Sequence, residues 1–389
     1  MVSMANTKEF LQQFGSKTFD EHPFCDGDAI LLCEVSYMPF DKVVKTTFGE
    51  EPVSLPEICS KIFEYQGCKH KKLGLMITAE PSKRLMELAA TKRYADVKVA
   101  AVKRVDSVSP AVQFMAITFV LPDGTIVVSY EGTDDTIAGW REDADMLIHK
   151  GTPSYGYALD FIKNTAEKFD GDIIVIGHSK GGHIALYTAL NCSKEIRDRI
   201  KLLYNNDGPG FYSSRVIETS AYDELADVYR HFVPSSSLVG MMLVHDNDYK
   251  AVKSTKHLGA FQHDMHTWLI EDGNLVTVDD TDALAKLTDV FLSKLVARTN
   301  DDDYEIMDQV FSTVIDGLGQ LTLTDFSKHI FSSLDGALKK WIAIEPDVKE
   351  AFGSIFAGSG ALMKESIKAV KNGAEKGVEK IATAVAQTV

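Results

Sequence analysis

An α/β protein is predicted, built on a mostly parallel central sheet flanked by helices, with a helical region before it and a helical extension after it. Three observations carry this. Beyond about residue 95, β-rich segments give way to strands alternating with helices, the order that a parallel sheet covered on both faces requires. Ile173, Ile174, Val175 and Ile176 are four consecutive β-branched residues, as in a buried parallel strand. That strand runs through Gly177-His178-Ser179-Lys180-Gly181 into a helical pattern marked by Ile184, Leu186, Tyr187 and Leu190.

The elements follow in order. "DGDAILLCEVSYMPFD" opens with caps at Asp26 and Asp28 and continues apolar through Ile30, Leu31, Val35 and Met38, so it is a helix. "PSKRLMELAATKRYAD" is a second, amphipathic one. "VKVAAVKRVDS", "AVQFMAITFVL" and "TIVVSYEG" are strands, the last two joined at the Asp123-Gly124 turn. Helix "SYGYALDFIKNTAEKF", strand "DIIVIGHS", helix "HIALYTALNC", strand "IKLLYNND", the helical stretch "SSRVIETSAYDELAD" and strand "VYRHFVPS" come next. "HTWLIEDGNLVTV" holds strands about an Asp272-Gly273 turn. The reading divides the chain into a main domain over 1–300 and a helical extension over 301–389. Near the end, Met363, Ile367, Val370, Ala374, Ile381 and Val385 form one stripe accompanied by lysines. A peripheral membrane or protein contact is one role for such a basic amphipathic helix; docking on its own domain is the other.

With a formal net charge of −15 the chain is a poor partner for nucleic acid, which demands a basic surface. The start "MVSMANTKEFLQQFGSKTF" has no signal-peptide pattern and no long apolar run follows, so a cytoplasmic location is expected, with signal-less export as the alternative. Five cysteines, odd in number and without a C-x-x-C pair, point to reduced thiols rather than disulfides or zinc.

The G-x-S-x-G between strand and helix carries the chemistry. A strand that turns abruptly into a helix strains the residue at the corner and lifts its side chain clear of the sheet, which is how a nucleophilic Ser179 would be presented. The fold with this elbow is the α/β-hydrolase fold, whose chain order is serine, acid, histidine. A serine hydroxyl needs a base and something to orient the base. His263, in a loop before an apolar strand, is the candidate base, with His266 in reserve. Asp207, closing a strand before a Gly-Pro-Gly bend, is the candidate acid; a turn residue or helix cap is its alternative, and Asp246 and Asp248 are the reserves. For the oxyanion, Lys180 offers its backbone N–H and Thr133, directly after a strand, its N–H and hydroxyl.

These stretches resemble a known family. "YEGTDDTIAGWREDADM" with "VIGHSKGGHIALY" is similar to the R-G-T/S…W..D and G-H-S-x-G-G pair of the class 3 (fungal-type) lipases. "TFDEHPFCDGDAILLCEVSYMPF", "NDGPGF", "SSLVGMML" and "QHDMHTW" look like a lipase-like bacterial branch related to them, over roughly residues 18–300. The resemblance implies a serine esterase or lipase with Ser179 as nucleophile, Thr133 and Lys180 at the oxyanion hole, and a lid-like helix over Thr136–Leu147. Two positions depart from it: Glu131 stands where those lipases carry arginine, and Ser236-Ser237 lie where they carry the triad aspartate.

The expected activity is hydrolysis of a lipid or other acyl ester through Ser179, His263 and Asp207, a chemistry that requires no metal or organic cofactor. A peptidase or thioesterase would use the same triad. A binding protein that keeps the fold without turnover is the alternative from another class.

Overall fold

The computed structural model describes residues 6–44, 48, 51–67, 79–148, 151–211, 219–243, 249–257, 259–296, 299–317, 322, 330–355, 357, 364 and 366–368. Helices α1 (Thr7–Phe14), α2 (Asp26–Val35), α3 (Leu55–Tyr65) and α4 (Glu80–Ala89) come first, with a two-residue strand β1 (Val53–Ser54) before α3. Local chemistry sets their starts. Asn6 and Glu9 form a capping box on α1, and Ser54 caps α3 with Pro56 in its first turn. A meander of β2 (Lys98–Val108), β3 (Ala111–Val120) and β4 (Ile126–Tyr130) follows. Its second turn is the expected Asp123-Gly124, where Gly124 adopts a φ of 86°.

Alternation then begins: α5 (Ile137–Ile148), α6 (Pro153–Lys168), β5 (Ile173–His178), α7 (Lys180–Asn191), α8 (Lys194–Arg197), β6 (Ile200–Asn206), α9 (Ser220–Leu225), β7 (Tyr229–Pro234) and β8 (Lys250–Val252). After α10 (Gly259–Gln262) come three two-residue strands, β9 (Ile270–Glu271), β10 (Asn274–Leu275) and β11 (Thr277–Val278). The described helices end with α11 (Ala283–Val296), α12 (Asp301–Gly317), α13 (Ile330–Ala343) and α14 (Pro346–Ile355).

Nine strands make one sheet in the order β1-β2-β3-β4-β5-β6-β7-β8-β11. The run from β4 to β8 is parallel, and the pairs at both ends are antiparallel. Because the parallel strands advance in one direction, right-handed crossovers deliver their helices to one face. Burial follows this with period two. Ile173 and Val175 of β5 pack with Phe161, Ile162, Ala185 and Leu186 of α6 and α7, whereas Ile174 and Ile176 pack with residues of α1 to α4 such as Phe10, Leu31 and Leu85. The N-terminal helices are therefore the cover of the second face. A buried bidentate pair, Arg93 Nε–Asp28 Oδ1 at 2.7 Å and Nη2–Oδ2 at 2.6 Å, holds them to the chain entering β2.

Two expectations are adjusted. The helix read over "PSKRLMELAATKRYAD" ends at Ala89, and a turn carries the chain to β2. Of "SSRVIETSAYDELAD", the described helix is only Ser220–Leu225. Most of the basic stripe near the end, with Met363, Val370, Ala374, Ile381 and Val385, lies outside the described residues, although Ile367 packs against Leu287 of α11. No described helix is long and apolar enough to cross a membrane. The described cysteines Cys25, Cys33, Cys59 and Cys192 are all free thiols.

Candidate active site

Ser179 sits between β5 and α7 with φ 56° and ψ −130°, a backbone region that costs a non-glycine residue on the order of 1–3 kcal/mol. The flanking glycines permit the turn by close approach. A Cβ on Gly177 would stand 2.0 Å from the Gly181 carbonyl oxygen, and one on Gly181 would stand 2.1 Å from that of Tyr130. The Ser179 amide donates to Asn206 O at 2.9 Å, which ties the corner to the end of β6.

Asp207 follows directly on β6, at the same sheet end, and is fully buried. Its Oδ2 lies 2.6 Å from His263 Nδ1. Its Oδ1 accepts from Ser237 Oγ at 2.5 Å and from Gly240 N at 3.0 Å. Ser237 and Gly240 thus orient the carboxylate that Asp207 brings from β6. Asp246 and Asp248 lie outside the described residues. His266 turns elsewhere, with its Nδ1 2.5 Å from Asp264 Oδ1. His183 is buried against Tyr155 and the Pro209 and Gly210 carbonyls.

The loop bearing His263 is anchored on both sides. Gln262 Oε1 accepts from Ser236 N at 2.9 Å, its Nε2 donates to Lys256 O at 2.9 Å, and the buried Trp268 indole donates to its carbonyl at 2.7 Å. His178, the residue before the serine, holds the same loop. Its Nε2 lies 2.8 Å from the His263 carbonyl and its Nδ1 lies 2.9 Å from the Tyr37 hydroxyl. A carbonyl only accepts, so His178 carries its proton on Nε2 and the Tyr37 O–H donates to Nδ1. Burial, reinforced by the neighbouring His263, lowers the His178 pKa to about 3, so the ring stays neutral.

Across the site, Gly132-Thr133 follows β4. A Cβ on Gly132 would stand 2.2 Å from the Tyr37 hydroxyl and 3.2 Å from Ser179 Cβ, so this loop lies against the elbow. The Thr133 hydroxyl donates to both oxygens of Asp143, at 2.8 and 2.6 Å. Its proton is therefore committed, and what Thr133 offers an oxyanion is its backbone N–H. Burial raises the Asp143 pKa to about 6, with Lys180 and the Thr133 bond opposing the rise. Asp143 was missed as a site residue, although the W..D spacing from Trp140 contained it. As the first residue of α7, Lys180 has a backbone N–H without an intrahelical acceptor. Its side chain plunges inward to Glu142, at 2.9 Å. The segment read as a lid is a helix, α5, but that contact and the packing of α12 on α5 hold it to the domain. Glu131 finds its guanidinium two strands away, with Arg104 Nη1 of β2 at 3.6 Å, and burial raises its pKa to about 8. Among the described residues, no group of three His, Cys, Asp or Glu side chains is arranged to hold a metal ion.

A family model described as Mbeg1-like matches residues 88–312, from α4 through most of α12. The chain belongs to the Mbeg1-like family. No curated protein matches it. Of solved structures, the native Rhizomucor miehei lipase propeptide complex is similar at 14% identity and a TM-score of 0.36, over 64% of this chain and 70% of that one. A deletion mutant of that complex gives 13%, 0.39, 68% and 82% in the same order. A fungal lipase-inhibitor complex, described as a model for interfacial activation, gives 13%, 0.33, 74% and 96%. At such scores the Mbeg1-like chain's architecture rests on its own sheet order and register.

Proposed function

We propose that the chain is a serine-dependent carboxylic ester hydrolase of the α/β-hydrolase fold, lipase- or esterase-like, acting on a lipid or other acyl ester. The observation that supports this most is the pairing of the buried Asp207 with His263, at the sheet end that carries the strained Ser179. Its likeness in motif to the class 3 lipases and its Mbeg1-like membership agree with it. In this reading the hydrolase domain spans 1–300 and residues 301–389 are a helical extension.

Ser179 Oγ attacks the ester carbonyl carbon while His263 Nε2 takes its proton. Asp207 keeps the His263 Nδ1 proton in place and balances the imidazolium. The oxyanion is held by the Lys180 and Thr133 N–H groups. The alkoxide leaves with the proton from His263, and water, activated by the same nitrogen, releases the acid from the acyl-serine. A thioester would follow the same course. An amide needs the same proton delivered to a poorer leaving group, so a panel of p-nitrophenyl esters, phospholipids, triglycerides, thioesters and peptides separates the substrate classes.

The decisive experiment is labelling of the folded protein with a fluorophosphonate. Ser179 takes the label, and Ser179→Ala abolishes it and lowers turnover by at least ~10³-fold with the fold intact. Absence of an adduct on the parent protein would leave a binding protein on a hydrolase scaffold.

A further inference from the structure

The side chain of Lys180 has no part in the reaction just described, yet it is among the most completely buried groups of the molecule, at 2% exposure. An ammonium has three N–H donors, and all three are used. Lys180 Nζ donates to Gln113 O at 2.6 Å, to Gln113 Oε1 at 2.6 Å and to Glu142 Oε2 at 2.9 Å. Glu142, wholly buried, is equally saturated: Oε2 also accepts from Gln113 N at 2.9 Å, and Oε1 accepts from Thr152 Oγ1 and Ser154 Oγ.

Gln113, on β3, turns this cluster toward the loop after β4. Its Nε2 donates to the Gly132 carbonyl at 3.4 Å and to Glu131 Oε2 at 3.1 Å, and its Oε1 accepts from Asp134 N at 3.3 Å. These contacts bracket Thr133. The Gly132 carbonyl and the Thr133 N–H belong to one trans peptide plane and point in opposite directions. Drawing the carbonyl toward Gln113 therefore turns the Thr133 N–H the other way, toward the side where Gly132 abuts Ser179. The ammonium in turn fixes which way the Gln113 amide faces, since an amide nitrogen cannot accept from Lys180.

We infer that the Lys180 side chain and Gln113 are positioning residues that preset the oxyanion hole, one residue supplying the first N–H through its backbone while its side chain aims the second. This rests on the hydrolase reading for its consequence in rate, but the peptide geometry it claims stands apart from that reading. The same cluster makes α5 a fixed wall of the site, because swinging it out would strand a buried carboxylate and a buried ammonium.

The test is the double variant Lys180→Met, Glu142→Gln. Removing the ammonium alone would leave Glu142 uncompensated and threaten folding. The glutamine keeps an oxygen for Gln113 N, while the Thr152 and Ser154 hydroxyls rotate to accept from its amide. The expected result is a folded protein with kcat lowered ~10²-fold, KM within about threefold of the parent, and a crystal structure with the Gly132–Thr133 peptide turned. Gln113→Leu, which leaves the Lys180–Glu142 pair in place, gives the same two changes and decides the matter if the double variant does not fold. A purely scaffolding role would lower stability and leave kcat of the folded protein alone. An unturned peptide, or kcat within about threefold of the parent, overturns the inference. If the parent protein takes no fluorophosphonate at Ser179, the hydrolase reading fails by itself, and the peptide orientation still decides this one.

Discussion

Asp207→Asn changes one atom of the candidate site and leaves its frame standing. Gly240 N and Ser237 Oγ both donate to Oδ1, so the asparagine oxygen is held there and its NH2 must occupy the Oδ2 position facing His263 Nδ1. An NH2 group only donates, so it demands an unprotonated Nδ1 and drives the ring proton to Nε2, the nitrogen that has to receive the serine proton. The wrong tautomer of a triad histidine costs on the order of 10⁴-fold in kcat, with KM little changed because the acid does not touch substrate. Asparagine is also the right control for the backbone. Asp207 has a φ of 52°, which Asn accepts more readily than other side chains. Alanine would instead orphan the buried Ser237 hydroxyl at a cost of roughly 1–3 kcal/mol, while Gly240 N keeps Ser237 Oγ as acceptor at 3.0 Å. The assay is steady-state hydrolysis of a p-nitrophenyl ester, with circular dichroism and a melting curve to show that the variant is folded. Asp246→Asn, run alongside, is expected to be nearly neutral. Activity of Asp207→Asn within tenfold of the parent would refute the reasoning.

Gly132→Ala places a methyl 2.2 Å from the Tyr37 hydroxyl and 2.6 Å from the His178 carbonyl oxygen, a backbone atom that cannot swing aside. The displaced loop should lower kcat/KM by ~10²-fold or more, and overpacking should cost ~1–3 kcal/mol in urea melts. Parental kinetics would show that the loop adapts without cost. Glu34 is buried, and burial lifts its pKa from 4.5 to about 8 against the opposing charges of His266 and Arg84. The folded protein therefore retains a proton that the unfolded chain has already released, and stability falls as pH climbs from about 4.5 to about 8. Glu34→Gln removes that dependence, so its urea midpoint should gain on the parent's steadily across this window. A difference that stays constant with pH would assign the group another state.

Much of this protein is legible one segment at a time. The apolar run of β5, the helical spacing of α7 and the glycines of the elbow are local instructions, because backbone strain and burial with period 2 or 3.6 act on neighbours in the chain. The two Asp-Gly turns and the α/β alternation are of the same kind, and Asp207 is marked by its place at a strand end before Gly-Pro-Gly. What segments do not carry is which groups meet. His263 and His266 stand three residues apart in one loop, and only the fold shows His263 facing Asp207, 56 residues away in sequence, while His266 takes Asp264. Lys180 and Glu142 are separated by 38 residues, and neither flanking stretch announces that both end up dry and paired. Tyr37 reaches His178 across 141 residues, from a helical region whose purpose, covering the face that one-sided crossovers leave bare, depends on the strand order. The physical reason is that local conformation is set by each residue's own sterics and polarity. The partner of a buried charge is set by desolvation, which acts only once distant elements have packed and water has gone.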